Sequence, residues 1–150
     1  MLLSLLKDHM TTSSSPQHPR TSRLFAPLAG VTSVSILCQA VTAGQFFTEE
    51  GREAWIVVHN IVGYVTLVLA VATAVVGLRA FRKSAPSLGW ASLALAVLVA
   101  VQLVIGHLIT DAEQDGWIGV HVPLALVVFG LTGWLAVKSA ALRRLRSTAP

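Results

Sequence analysis

Two histidines stand in the same local phrase. Trp55-Ile56-Val57-Val58-His59 and Trp117-Ile118-Gly119-Val120-His121 share the spacing Trp-x-x-x-His at an offset of 62 residues. Each phrase follows an acidic loop and opens a long apolar run, which predicts an imidazole at matching depth on two helices. The same offset aligns Gly44 with Gly106, Thr48 with Thr110, Ile56 with Ile118 and Val58 with Val120, as a tandem duplication of a helical hairpin would. A histidine inside an apolar helix is costly enough that it is usually functional or paired. The chemistries open to it are metal ligation, proton transfer and an interhelical hydrogen bond.

The elements that must hold these rings follow from composition. The chain has 150 residues, of which 54% are hydrophobic and only 12% charged. That balance lies outside the range of ordinary soluble domains and places the chain in the integral membrane class. The net charge of +4 is not gathered into a basic helix or an aromatic-interleaved patch, which excludes nucleic acid as a partner. The single cysteine, Cys38, lies within the first apolar run, so an intramolecular disulfide or a Cys-rich metal cluster is excluded.

Four apolar stretches, 24–47, 54–78, 88–110 and 117–137, each have about the 20 residues that a helix needs to cross a bilayer. They are too long for barrel strands, and a spanning segment must satisfy its backbone internally. The expected fold is all-α, an integral membrane up-down-up-down four-helix bundle made of two repeated helical hairpins. Residues 1–23 are expected to be a disordered cytoplasmic tail, and 141–150 a basic cytoplasmic tail, around a transmembrane domain at 24–140. The opening MLLSLL is too short for a cleaved signal, and Met1 and Met10 are both candidates for the start. His9 and His18 fall in the tail and carry no functional weight.

Basic residues flank three ends of the runs: Arg20 and Arg23, then Arg79, Arg82 and Lys83, then Lys138, Arg143, Arg144 and Arg146. The two remaining loops carry Glu49, Glu50 and Glu53, and Asp111, Glu113 and Asp115, with Arg52 as their only cation. The positive-inside rule then puts both termini in the cytoplasm and both acidic loops outside, in the cell (plasma) membrane. Short loops make the second and fourth helices diagonal partners running in the same direction. His59 and His121 therefore descend to one level about a turn below the outer boundary.

With neighbouring axes roughly 8 to 10 Å apart, the diagonal of a four-helix square is on the order of 13 Å. That gap is too wide for two imidazoles to touch. It suits a flat metal macrocycle between them, with one ring nitrogen on each side of a central iron, and haem b is the cofactor this predicts. Ser92, Ala96, Val99, Gln102 and Gly106 form a mostly small stripe on helix 3, and Gly63 and Ala125 are expected to leave space beside the two rings. Small residues also serve simple helix packing. Gln39 and Gln102 are candidates to hydrogen-bond the ligand histidines and set which nitrogen faces the metal, or to bond helix to helix. Arg52 is a candidate partner for a haem propionate. His107 lies at a similar depth on helix 3, so three histidines holding zinc is a weaker alternative; a propionate or substrate contact is another use for it.

Around these residues the chain resembles one four-helix half of the haem A synthase family. The resemblance covers Gln39 to Ala125, and the segments that carry it are GREAWIVVHNIVGY, VQLVIGHLITD and GWIGVHVPLALV. It implies axial ligation by His59 and His121, and it places Glu49, Glu50 or Glu53 in the first outer loop, where the family has a carboxylate important for haem oxidation. Only one half is present, and the cysteine pair that many bacterial members carry in that loop is missing. The resemblance therefore implies haem binding rather than haem A synthesis; the chain also resembles, more loosely, other small four-helix b-type cytochromes.

The expected function is electron transfer by a small membrane cytochrome, working between a quinone-like donor or a redox partner protein and an acceptor, without substrate turnover of its own. Two histidine ligands leave iron no open axial position, which favours this over oxygen activation. Two other readings remain open: a cofactor-free subunit or scaffold, and a haem-modifying or zinc enzyme using the outer-loop carboxylates. Gly30, Ser33 and Ser35 on helix 1 would suit a homodimer seam or the bundle interior.

Overall fold

The computed structural model describes residues 19–47 and 51–147. Among them are four long α-helices: α1 (Pro19–Gly44), α2 (Arg52–Phe81), α3 (Pro86–Thr110) and α4 (Ile118–Ser147). Single 3-10 turns at Gln45–Phe47 and Asp115–Trp117 lead out of α1 and into α4. Each long helix contains a segment apolar enough to cross a membrane.

Helix ends follow local chemistry more than hydropathy. Gly51, at φ 77°, launches α2 from a left-handed backbone that only glycine adopts cheaply. Pro86 opens α3, where its missing N–H costs nothing. α1 begins at Pro19, earlier than the apolar run that starts at residue 24, and ends at Gly44 rather than 47. α4 continues to Ser147 and carries Lys138, Arg143 and Arg144 as helical residues. Their long side chains are compatible with a helix, so charge ends the apolar run without ending the helix. Residues 1–18, Thr48, Glu49 and Glu50, and the last three residues lie outside the described part.

The helices pack as a ring: α1 on α2, α2 on α3, α3 on α4, and α4 back on α1. The diagonal helices α2 and α4 have no Cα pair within 8 Å. The core is densest toward the end carrying the α2–α3 loop. There Phe25 meets Phe81 edge to face at 5.0 Å, and Leu88, Leu95 and Leu135 are fully buried. α2 passes close to its neighbours at Gly77, where a Cβ would collide with Ser92 and Phe25. Between α1 and α2 the contact is polar: Ser35 meets Thr66 at 2.7 Å and Thr32 meets Thr73 at 3.2 Å. The outer surface is apolar, with Val68, Leu126 and Val137 exposed by 68%, 70% and 72%. Such a surface needs an apolar solvent or partner.

Candidate functional site between the diagonal histidines

The acidic-loop end of the bundle is built differently. All of residues 111–120 are exposed, and the interior at this end is furnished with amides, a hydroxyl and imidazoles. His59 and His121 are both half-buried, on α2 and α4.

On the first hairpin three polar residues close into one cluster. Gln39 Nε2 donates to the His59 carbonyl at 3.1 Å, and the Thr42 hydroxyl donates to the Gln39 carbonyl at 3.0 Å. That hydroxyl also lies 2.9 Å from His59 Nδ1. A hydroxyl has one proton, and here it points at a carbonyl, so its oxygen accepts from Nδ1–H. With the hydroxyl proton on the Gln39 carbonyl, His59 is the Nδ1–H tautomer and its Nε2 lone pair is left for a metal. Phe46 packs edge-on against the ring at 5.3 Å and limits its rotation.

The second hairpin repeats only part of this. Gln102 Nε2 donates to the His121 carbonyl at 2.9 Å, the counterpart of the Gln39 bond. The offset of 62 puts the two glutamines one position out of register, and the structure still gives them the same partner. Among the described residues no hydroxyl serves His121: its Nδ1 is buried without a hydrogen-bond partner, as are Gln39 Oε1 and Gln102 Oε1. The ring lies against Gly106, where an added Cβ would stand 3.5 Å from His121 Cε1.

Several expected roles change. The glutamine amides bond the backbone of the histidine helices rather than the imidazoles, because each carboxamide crosses to the neighbouring helix at carbonyl height. Orienting the His59 ring falls to Thr42, which the sequence analysis did not single out; its place three residues after Gln39, as a second polar residue in an apolar run, was the available signal. Gly63 leaves no room beside a ring. Its missing side chain is replaced by Gln39 Nε2 and Leu103 Cδ1, which a Cβ would meet at 2.9 and 3.1 Å. On α3, Ser92, Ala96 and Val99 are buried in the bundle, and Gln102 and Gly106 are half-buried beside His121. Arg52 is exposed at the first position of α2.

His107 does not join the other two histidines. Its Nε2 meets the Tyr64 hydroxyl at 2.9 Å and its Nδ1 meets Asp111 at 3.0 Å. Among the described residues no group of three or more His, Cys, Asp or Glu side chains is gathered to hold a metal ion, so the three-histidine zinc arrangement is not formed.

The donor set can be tested against a haem on its own terms. Two half-buried imidazoles on diagonal helices could each offer a ring nitrogen to an iron between them. His121 Nδ1 and the two carboxamide oxygens are buried polar atoms without a partner among the described residues, and the His121 ring lies against Gly106. The residues fit the group. Compared with known protein families, characterised proteins and solved structures, the chain matches none.

Proposed function

We propose that the chain is a four-span plasma membrane protein, with both termini cytoplasmic, that holds one b-type haem between His59 and His121 near the outer face. Its role is electron transfer between a quinone-like donor or a redox partner protein and an acceptor. The observation that carries this reading is the pair of half-buried imidazoles on α2 and α4, helices that share no Cα pair within 8 Å, with the Thr42 hydroxyl 2.9 Å from His59 Nδ1. The resemblance in the Gln39 to Ala125 segment points the same way.

A bound haem would supply one-electron cycling of its iron. Everything else is done by the chain. His59 and His121 would hold the haem iron through one ring nitrogen each. Thr42 holds the His59 proton away from the metal-facing nitrogen. Gln39 and Gln102 tie the ligand helices to α1 and α3, so both rings keep a common height. Arg52, at the mouth, would offset propionate charge.

The test is the reduced-minus-oxidised absorption spectrum of membranes containing the overexpressed chain. A Soret and α-band pair that disappears in both His59→Ala and His121→Ala is the expected result. A colourless protein under full haem supply overturns the reading. It would favour the cofactor-free subunit, for which the helix-to-helix amide bonds of Gln39 and Gln102 are the supporting observation. A haem-modifying enzyme would need turnover of added haem; Glu53, exposed in the first turn of α2, is the first-loop carboxylate within the described residues.

A further inference from the structure

The contacts of His107 form a second polar chain away from the diagonal histidines. Tyr64 on α2, His107 on α3 and Asp111 at the end of α3 are linked through 2.9 and 3.0 Å contacts. The Thr110 hydroxyl lies 2.9 Å from Asp111 Oδ1 and 3.1 Å from the Gly106 carbonyl, with one proton to donate between them. Helical side chains lean toward their own N-terminus. α2 and α3 are antiparallel, so Tyr64 leans toward the acidic-loop end and His107 leans down to meet it.

The chain runs from an apolar surface to an aqueous one. Tyr64 is 51% exposed, and Val57, Ile61 and Val68 share its face of α2. Val104, one turn before His107, is 61% exposed on α3. At the other end the Asp111 side chain is 65% exposed in the outer loop, while His107 between them is 31% exposed. With Asp111 as acceptor, His107 Nδ1 carries the proton and Nε2 accepts from the Tyr64 hydroxyl. The phenol oxygen of this half-exposed tyrosine can still accept a hydrogen bond. A ligand here must be lipid-soluble, must offer an O–H, and must be uncharged, since Asp111 would oppose a phosphate or carboxylate head group.

We propose that Tyr64, His107 and Asp111 form a binding site for the head group of a lipid-soluble hydroquinone and the route by which its protons reach the outer aqueous phase. The substrate hydroxyl donates to the Tyr64 oxygen. As it is oxidised, its proton passes to Tyr64, the Tyr64 proton to His107 Nε2, the His107 Nδ1 proton to Asp111, and that proton to water. The first passage leaves the His107 proton on Nε2, and the ring returns to the Nδ1–H form by turning over or by exchange with water while the haem passes its electron to the acceptor; a second passage then releases the second proton and converts the hydroquinone to quinone. The two electrons leave singly to ferric haem, a destination that rests on the haem reading above. Tyr64 lies five residues past His59 on the same helix, about 7.5 Å along its axis.

The experiment uses the full chain in phosphatidylcholine nanodiscs with two readouts. The first is saturable photolabelling by a short-chain azido-hydroquinone kept reduced with ascorbate, mapped by mass spectrometry, and it does not need haem. The second is the rate at which decyl-hydroquinone reduces the haem band. Label is expected on α2 near Tyr64 and on α3 near His107, reduced about tenfold in Tyr64→Phe and His107→Leu by loss of the hydrogen bond. Asp111→Asn is expected to keep the label and slow haem reduction about tenfold, because one proton acceptor is gone. Circular dichroism and monodispersity confirm that each variant folds, and Tyr64→Phe keeps the ring.

Absence of saturable label, equal label in Tyr64→Phe and His107→Leu, or equal competition by a long-chain alcohol overturns the site. Haem reduction at the parental rate in Asp111→Asn overturns the proton route. A haem band without hydroquinone label fails this proposal alone. Hydroquinone label on colourless protein fails the haem reading and leaves the site standing.

Discussion

The first hairpin gives its histidine a finished environment, in which Thr42 takes the Nδ1 proton, Gln39 takes the backbone carbonyl and Phe46 covers the edge of the ring. In the second hairpin only the amide bond is repeated, and His121 Nδ1 is left buried and unpartnered against Gly106. The two rings thus differ in freedom though they match in depth. A ring with its tautomer set is ready to ligate, whereas one with a buried unmet nitrogen gains most from whatever settles its orientation. An unsatisfied buried group is a cost that a fold retains when something else uses the site.

The comparison can be broken most severely at Thr42. Thr42→Val keeps the shape and removes the acceptor, leaving both hairpins with a buried ring nitrogen unserved. The expected cost is about 1–3 kcal/mol, read as a lower midpoint of detergent-induced unfolding. Haem affinity, where haem is bound, should fall by about 10- to 100-fold, as when an outer-shell partner is lost. An unchanged midpoint together with unchanged affinity would show that the two rings are equivalent.

A smaller effect is expected at Gly63, whose space is used by the Gln39 amide. Gly63→Ala should displace that amide and cost about 1 kcal/mol, roughly the value of the bond to the His59 carbonyl. The penalty should mostly vanish when Gln39→Ala is already present, since the two changes remove one interaction. Gly106→Ala, with a Cβ at ordinary contact distance from His121, should shift the unfolding midpoint by less than about 0.5 kcal/mol. Equal penalties at the two glycines would contradict the packing described.

The comparison is sharpened rather than broken at Ile105, which stands three residues after Gln102 as Thr42 stands three after Gln39. Ile105→Thr brings a hydroxyl to the equivalent place. The lost apolar burial and the new bond to His121 Nδ1 should offset each other to within about 1 kcal/mol. The informative readout is the ring itself: nitrogen-15 spectra should report His121 moving to the Nδ1–H tautomer seen at His59.

Much of the architecture was legible in the chain. The lengths of the apolar runs required four helices, and the short loops required neighbours in sequence to be neighbours in space. The repeated Trp-x-x-x-His phrase led to two rings on diagonal helices. What was not legible was the traffic between helices. Gln39 and Gln102 read as partners of the rings because both are amides near histidines, yet which atom an amide reaches depends on how α1 is rotated against α2. The difference between Gly63, filled by a neighbour, and Gly106, facing a ring, is likewise a matter of what the adjoining helix presents. Tyr64 drew no attention as the single tyrosine of the chain, since its partner His107 is 43 residues away.

The sequence by itself determined the four helices and set each histidine four residues past a tryptophan near a helix start, because hydrophobic length and a rise of about 1.5 Å per residue leave no other solution. Only the tertiary structure decided that Thr42 serves His59, that no hydroxyl among the described residues serves His121, and that His107 turns to Tyr64 and Asp111. Those pairings depend on helix rotation and separation to within a hydrogen bond's length, a precision set by side chains packing across four helices at once.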